Sequence, residues 1–205
     1  MILVAPVLTG REVTLRPLAL GDVEALTAAA GESREHFDLS VVPGGVDEMH
    51  RYVEKFLAQR DQGRRIPFAT VWRERVVGST SFIDPQVWDW PRGSDRQRID
   101  RPDTVEIGST WLAASAQRTR CNTEAKLLML AHAFERWQTH SVSFKTDERN
   151  QRSRRAIERL GARFDGVRRA DMPGVDGTVR NSAHYSIVAA EWPVIRARLE
   201  QLLSK

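Results

Sequence analysis

The sequence predicts an α/β fold, a three-layer sandwich in which a mixed sheet carries helices, and three observations lead to this prediction. Apolar and polar residues alternate in short segments such as residues 10–17, which is typical of half-buried strands. Elsewhere apolar residues recur every three or four positions, as within residues 123–137, which is typical of amphipathic helices. Strands and helices are interspersed without a linker, so we expect residues 1–205 to form one domain.

Seven segments have the pattern of strands, and the second and third of them form a hairpin joined at residues 73–75. The expected strands are residues 10–17, 66–72, 76–83, 104–112, 141–146, 164–170 and 184–189. The expected helices are residues 21–30, 47–57 with Asp47 as the N-cap, 123–137, 150–160 and 193–203. Residues 171–180 are expected to form a turn.

The composition is that of an ordinary globular domain, with 41% hydrophobic and 28% charged residues. No apolar run approaches the roughly 20 residues of a membrane span, and residues 1–8 lack the basic start and cleavage site of a signal peptide. The single cysteine excludes an internal disulfide, and the five histidines show no metal-ligand spacing. We therefore expect a cytoplasmic protein with no metal site and no membrane segment.

Positive charge is concentrated in one part of the chain. Residues 149–169 contain eight arginines against only Glu158 and Asp165, whereas the whole chain has a net charge of +4. Such a local excess favours a small polyanionic ligand, or it is a solvated helix face. A nucleic-acid-binding module is the rival interpretation. We do not expect it, because the segment has no interleaved aromatic residues and no helix with base-contacting side chains.

Three segments contain the polar residues expected of a functional site. Residues 106–112 form a strand that places Glu106 on a polar face. The polar turn at residues 115–125 leads directly into a helix, and the free N–H groups and positive end of a helix favour an anion such as a pyrophosphate. Asn150 is a good N-cap residue for the following helix, with Ser153 at the same helix end.

In this order, the three segments resemble the GNAT acyltransferase superfamily, and in particular the branch of the Rim-type ribosomal-protein N-terminal acetyltransferases. The resemblance covers nearly the whole chain, from Gly10 to Tyr185. It implies a GNAT-like three-layer sandwich, with a mixed, mostly antiparallel sheet of about seven strands and helices on both faces. It also implies that acetyl-coenzyme A, or another acyl-coenzyme A, donates an acyl group directly to an amine.

The resemblance assigns residues to the donor. The turn would bind the coenzyme A pyrophosphate, Asn150 would hydrogen-bond the coenzyme, and Ser153 would lie close to the sulfur. The turn residues are Gln117, Arg118, Thr119, Arg120, Cys121, Asn122 and Thr123, and the strand residues that would pair with the pantetheine arm are Ser109, Thr110, Trp111 and Leu112.

The turn departs from the family pattern, since Arg120 and Asn122 stand where the family usually has small residues, mostly glycine. Glycine lets the backbone approach a phosphate closely. Arg120 can keep the contact if its dihedral angles are helical, and its side chain could otherwise fill the site. Arg155 belongs to a helical stripe of arginines that either meets the 3′-phosphoadenosine or faces solvent. Cys121 is interpreted as a small apolar residue rather than an acyl carrier.

Glu106 is either a surface charge or the base that deprotonates the acceptor, directly or through water. At pH 7 an α-amino group of pKa about 7.7–8.0 is neutral for about 10–15% of the time, but a lysine of pKa about 10.4 for only about 0.04%. Glu106 is the one well-placed carboxylate in the three segments. An α-amino acceptor is therefore favoured, because it depends less on deprotonation by a base. A small amine, a lysine, an aminoglycoside, a succinyl donor, or coenzyme A binding without catalysis remain alternatives.

Residues 84–103 form a long polar connection that contains Trp88 and Trp90 among charged residues. A connection this long between neighbouring strands suggests a function, and aromatic residues surrounded by polar ones often mark a binding surface. We therefore expect Trp88, Trp90 and Glu106 to contact the acceptor. In the alternative, the tryptophans dock on their own domain or on a second copy in a homodimer.

Overall fold

The computed structural model describes residues 3–204, which form one eight-stranded sheet with helices on both faces. The strands are β1 (Leu8–Thr9), β2 (Val13–Pro17), β3 (Arg65–Trp72), β4 (Arg75–Gln86), β5 (Thr104–Leu112), β6 (Ser141–Asp147), β7 (Arg163–Pro173) and β8 (Val179–Val188). The helices are α1 (Val23–Gly31), α2 (Val46–Asp61), α3 (Cys121–Ala131), α4 (Gln151–Leu160) and α5 (Trp192–Ser204). The strand order across the sheet is β1-β2-β3-β4-β5-β6-β8-β7.

Two neighbouring residues of β4 show that α2 and α3 cover opposite faces of the sheet. Ser79 accepts a hydrogen bond from Tyr52 of α2, whereas Thr80 contacts Met129 of α3. Successive side chains of a strand point to opposite faces, so the two helices lie on either side. On the α3 face, α5 packs against α3, and Arg154 of α4 donates to the Tyr185 hydroxyl of β8.

The sheet has a single parallel strand pair, and this pair is very short. β5 and β6 are in register only over residues 104–106 and 141–143. All other neighbouring strands pair antiparallel. Beyond Glu106 the two strands separate, which leaves a cleft between them near the middle of the sheet.

Next to this cleft, β5 contains a bulge. Ser79 pairs with Trp111 and Ser81 pairs with Gly108, so Ser109 and Thr110 together lie opposite Thr80. Ser109 has a left-handed backbone conformation with φ 49°. Bulges of this kind re-aim side chains and are frequent beside active sites.

The structure confirms the mixed, mostly antiparallel sheet with helices on both faces, but it has eight strands rather than about seven. The additional strand is β1, which pairs Leu8 with Leu15 of β2. It was missed because two residues are too few to show alternation. Each helix within residues 3–204 is too short or too polar to cross a membrane.

Several expected boundaries were wrong: β2 begins at Val13 rather than at residue 10, β4 continues to Gln86 rather than ending at residue 83, and three further differences have a clear physical reason. The N-cap residue of α2 is Gly45, and Asp47 lies within the first turn, where the helix dipole favours a carboxylate. The α3 segment is α-helical only to Ala131 and continues as a π-helical turn to Arg136. The turn expected at residues 171–180 is only residues 174–178, because β7 and β8 form a long hairpin. Its residues 172–180 are mostly exposed and therefore lack an apolar alternation.

Candidate active site

The turns that follow β5 and β6 lie at the same end of the cleft. The carboxyl ends of parallel strands meet at one edge of a sheet, and each of these turns leads into a helix, α3 or α4. Arg152 of α4 donates a hydrogen bond to the Gln117 side chain over 2.6 Å, and Gln117 donates to the Leu112 carbonyl over 2.8 Å. Through these two hydrogen bonds, Gln117 connects the end of β5 to the start of α4 and holds the two turns next to each other.

The turn before α3 presents unpaired backbone donors. Thr119 Oγ1 accepts from the N–H of Cys121, the first residue of the helix. Among the hydrogen bonds of residues 3–204, none engages the N–H of Arg118, Thr119 or Arg120. Arg118 is left-handed with φ 60°, as a tight turn requires. Such a group of N–H donors at a helix N-terminus suits a phosphate.

Arg120 keeps the helical conformation that a non-glycine residue needs here, with φ −73° and ψ −12°. Its guanidinium donates to the Leu203 carbonyl at the end of α5 over 3.2 Å and is exposed. Asn122 and Thr123 follow within the first turn of α3. Cys121 is buried, and burial raises the pKa of its thiol to about 12. This matches its interpretation as a small buried residue, since a thiol with this pKa is a poor nucleophile.

Asn150 caps α4 through its side chain. Its Oδ1 accepts the N–H of Ser153 over 2.9 Å, which is the contact expected of an N-cap residue. Ser153 is half-buried at the same helix end, and Arg155 is exposed on the next turn. Asn150 and Ser153 thus lie beside the arginine–glutamine contact that joins the two turns.

Glu106 lies where β5 and β6 separate, on the opposite face from α3. Gly108 pairs with Ser81, and Ser81 contacts Arg65 on the α2 face, so Glu106, two residues before Gly108, faces the same way. A Cβ atom at Gly108 would lie 2.8 Å from Glu106 Oε1, so a larger residue at this position would force the carboxylate to shift. Glu106 pairs with Lys145 of β6, with 3.2 Å between Oε2 and Nζ, and its side chain is 16% exposed.

The sequence matches the family model of the acetyltransferase (GNAT) domain over residues 12–163. The chain belongs to the GNAT acetyltransferase family. This confirms the resemblance inferred from the three sequence segments, and the chain is an N-acetyltransferase. No curated protein sequence matches it.

Solved structures share this GNAT fold over most of their length. A crystal structure of a protein assigned as an acetyltransferase is 32% identical, with a TM-score of 0.80, and the match covers 99% of this chain and 100% of that one. Mycobacterium smegmatis RimJ in complex with CoA-disulfide is 23% identical, with a TM-score of 0.71, covering 93% and 88%. RimL, a ribosomal L7/L12 α-N-protein acetyltransferase, is 16% identical, with a TM-score of 0.74, covering 89% and 94%. At these identities RimJ and RimL show similarity of fold.

Sequence reasoning missed Arg65 of this GNAT domain. It is buried, and its Nη1 donates to the hydroxyls of Ser81 and Ser109, each over 3.0 Å. Its guanidinium stacks 3.9 Å from the centre of the Phe56 ring, and burial lowers its pKa. Arg65 therefore fixes the bulge residue Ser109 from the α2 face. The only available signal was an arginine directly before an apolar strand segment.

A second missed residue, Lys126, lies on the other face of the same bulge. It is buried in α3, and its ammonium donates to Thr110 Oγ1 over 2.6 Å and to Thr80 Oγ1 over 2.9 Å. Burial lowers its pKa to about 7. The signal in the sequence was a lysine within an otherwise mostly apolar stretch of the helix.

The structure places Trp88 and Trp90 away from the bulge. The Trp88 ring stacks on His140 at 5.3 Å, Trp90 meets the edge of His140 at 5.7 Å, and the Trp88 N–H donates to Asp103. His140 precedes β6, so the loop docks where β5 and β6 begin, about 16 Å along the strand from the bulge. This packing agrees with the alternative in which the tryptophans dock on their own domain. Their contact with an acceptor stays a prediction.

An open groove of about 630 Å³ lies beside α2, on the face to which Glu106 points. Its walls come from the connection between α1 and α2, from α2, and from the β7–β8 loop. They include Phe37, Val41, Tyr52, Lys55 and Val175. The groove therefore lies on the face of the sheet opposite the one that α3 covers.

Proposed function

We propose that this GNAT acetyltransferase transfers an acetyl group from acetyl-coenzyme A directly to the α-amino group of a protein or peptide. The observation that carries the proposal is the separation of β5 and β6 beyond Glu106. The phosphate-binding turn lies on the α3 side of this gap, whereas Glu106 and the open groove lie on the α2 side. A donor and an acceptor can therefore approach the same point from opposite faces.

The donor site rests on unsatisfied backbone groups. The N–H groups of the turn before α3 suit the pyrophosphate. Within residues 3–204, β5 beyond Glu106 has no paired strand on its β6 side, so its backbone is free to pair with the pantetheine arm. We assign the donor to the turn residues 117–123, the strand residues 109–112, and Asn150, Ser153 and Arg155. We assign no residue of the donor site to metal binding.

The transfer begins with a neutral amine, because a protonated amine has no lone pair. Glu106 takes the proton, directly or through one water, as the amine attacks the thioester carbonyl. A backbone N–H of residues 110–112 holds the oxyanion. The C–S bond then breaks, and the coenzyme thiolate leaves with a hydrogen bond from the Ser153 hydroxyl. A thiol pKa of roughly 8.5 makes full protonation of the leaving group unnecessary.

Three points favour an α-amino acceptor. A single carboxylate suffices as the base for an amine that is already neutral for about a tenth of the time at pH 7. A lysine is neutral a few hundredfold less often, so its reaction depends far more on deprotonation by a base. RimL, which shares the fold, is described as an α-N-protein acetyltransferase. The groove beside α2 is also open and partly apolar, so it could accommodate the side chains that follow a free N-terminus.

The test is an acetylation assay with a peptide library in matched pairs, one member with a free N-terminus and the other N-terminally blocked with a free lysine. We expect acetyl-coenzyme A to be consumed only with free N-termini. Transfer to lysine peptides, small amines or aminoglycosides would replace the proposed acceptor, and faster transfer from succinyl-coenzyme A would replace the donor. Coenzyme A binding by calorimetry without turnover of any acceptor would indicate a non-catalytic domain.

A further inference from the structure

Lys126 is a buried cation whose contacts are hydroxyl groups. Its side chain is 4% exposed, and its hydrogen bonds go to Thr80 of β4 and Thr110 of β5. Cys121 is the titratable neighbour that acts on it, and that buried thiol is neutral near pH 7. Glu124, on the same helix, is turned toward the N–H groups of Arg11 and Glu12. Burying a lysine without a carboxylate partner costs folding free energy, which suggests that Lys126 has a function.

The two hydroxyls that Lys126 contacts differ in their surroundings. Thr80 is buried, and its hydroxyl reaches Met129 Sδ over 3.7 Å. Thr110 is exposed in the bulge of β5, beside the gap between β5 and β6. The two oxygens lie 2.7 Å apart, and either can donate to the other. When Thr80 donates to Thr110, the proton of the Thr110 hydroxyl is free to point into the cleft.

The charge of Lys126 decides between these arrangements. An ammonium has three N–H donors and no acceptor, so both hydroxyls can only accept from it. A neutral amine has a lone pair that can accept the Thr110 proton and turn it away from the cleft. The protonated lysine therefore favours a Thr110 hydroxyl that donates outward.

We propose that Lys126 is a positioning residue of the donor site, which directs the Thr110 hydroxyl proton to a carbonyl oxygen of the bound acyl-coenzyme A. This inference rests on the proposed function, because it requires the donor to lie along β5. It adds a side-chain contact to the expected backbone pairing, and it makes donor binding depend on a group that titrates near neutral pH.

The experiment is calorimetric titration of coenzyme A into the wild-type protein and three variants, at about pH 6 and about pH 8.5, on either side of the Lys126 pKa of about 7. Lys126→Met keeps the length of the side chain without its charge, and Thr110→Val removes the exposed hydroxyl. Thr80→Val is the matched control, because it removes the other hydroxyl that contacts the lysine but leaves the exposed one. The phosphate groups of coenzyme A also change protonation between the two pH values, but this change affects the affinities of all four proteins equally.

At about pH 6 we expect Lys126→Met and Thr110→Val to bind about three- to tenfold more weakly than wild type, as the loss of one hydrogen bond implies. At about pH 8.5 this difference should largely vanish, and Thr80→Val should follow wild type at both pH values. Wild-type affinity of Lys126→Met at both pH values would overturn the inference, as would equal effects of the two threonine changes. A wild-type protein that binds no coenzyme A would instead overturn the proposed function, and this inference with it.

Discussion

Glu106 of β5 and Lys145 of β6 form an ion pair, 3.2 Å between Oε2 and Nζ, across the point where their strands separate. The two side chains are 16% and 31% exposed, so water screens the pair only in part. The ammonium holds the carboxylate in place on the α2 face, at the inner end of the cleft. An acceptor amine that reaches Glu106 must therefore approach beside Lys145.

Replacing Glu106 with glutamine should lower kcat about a hundredfold and leave the coenzyme A affinity unchanged, because it removes a proton acceptor without changing the size of the side chain. Steady-state kinetics with calorimetry check this. Glu74→Gln, an exposed carboxylate in the β3–β4 hairpin, is the control and should behave as wild type. Unchanged kcat in Glu106→Gln would show that the carboxylate is not the base and that its role is limited to the ion pair with Lys145.

Arg120→Glu should weaken coenzyme A binding at least tenfold, because it places a negative charge beside the expected pyrophosphate at the start of α3. It also removes the contact between the guanidinium and the Leu203 carbonyl. The control is Arg169→Glu, which makes the same charge change on exposed β7. Equal affinity of the two variants in a calorimetric titration would show that Arg120 lies outside the donor site.

Asn150→Ala should cost about 1 kcal/mol of unfolding free energy, since the Ser153 N–H loses its cap. It should also weaken coenzyme A binding. Asn150→Asp separates the two effects, because aspartate is an equally good N-cap but cannot donate a hydrogen bond and is repelled by phosphate. Urea unfolding should find Asn150→Asp as stable as wild type, and calorimetry should find it impaired. Normal affinity in Asn150→Asp would limit this residue to capping.

Ser153→Ala should reduce kcat about five- to thirtyfold, which corresponds to a lost hydrogen bond of about 1–2 kcal/mol to the departing sulfur. Stability should not change, since the cap uses the backbone N–H of Ser153 and not its hydroxyl. Single-turnover kinetics with acetyl-coenzyme A measure the step directly. Kinetics identical to wild type would refute the sulfur contact.

Lys126→Met should raise stability near neutral pH. The folded lysine has a pKa lowered from 10.5 to about 7, so between these values the unfolded chain binds a proton that the folded chain does not. Wild-type stability therefore rises with pH in this window, and the stability gain of the variant over wild type should shrink by about 2 kcal/mol from about pH 7 to about pH 9. Urea unfolding measures this difference, with exposed Lys55→Met as a control that should show none.

The fold was predictable because its elements carry strong local signals. The alternation in β2 and in the first half of β5, and the apolar spacing of α3, follow directly from which face each residue buries. The errors lie where tertiary context decides. β1 exists only because it pairs with β2, and most residues of β7 are exposed, so neither could show a clear period.

The candidate site was predictable where a residue acts through its own local structure. Asn150 caps its own helix, and the turn at residues 117–123 precedes its own helix. Arg65 and Lys126 were missed because their partners, Ser109 and Thr110, lie on another strand. The sequence does not show which distant residues are neighbours in space, so it could not reveal that the β5 bulge is contacted from both faces of the sheet.

The three residue pairs between β5 and β6 join a five-stranded half of the sheet to a three-stranded half. We expect so short a ladder to couple the opening of the two halves only weakly, so that each half exchanges its amide hydrogens as a separate cooperative unit. A donor bound in the gap, as we propose, would contact both halves and take the place of the missing ladder. Substrate binding would then merge two units of local unfolding into one.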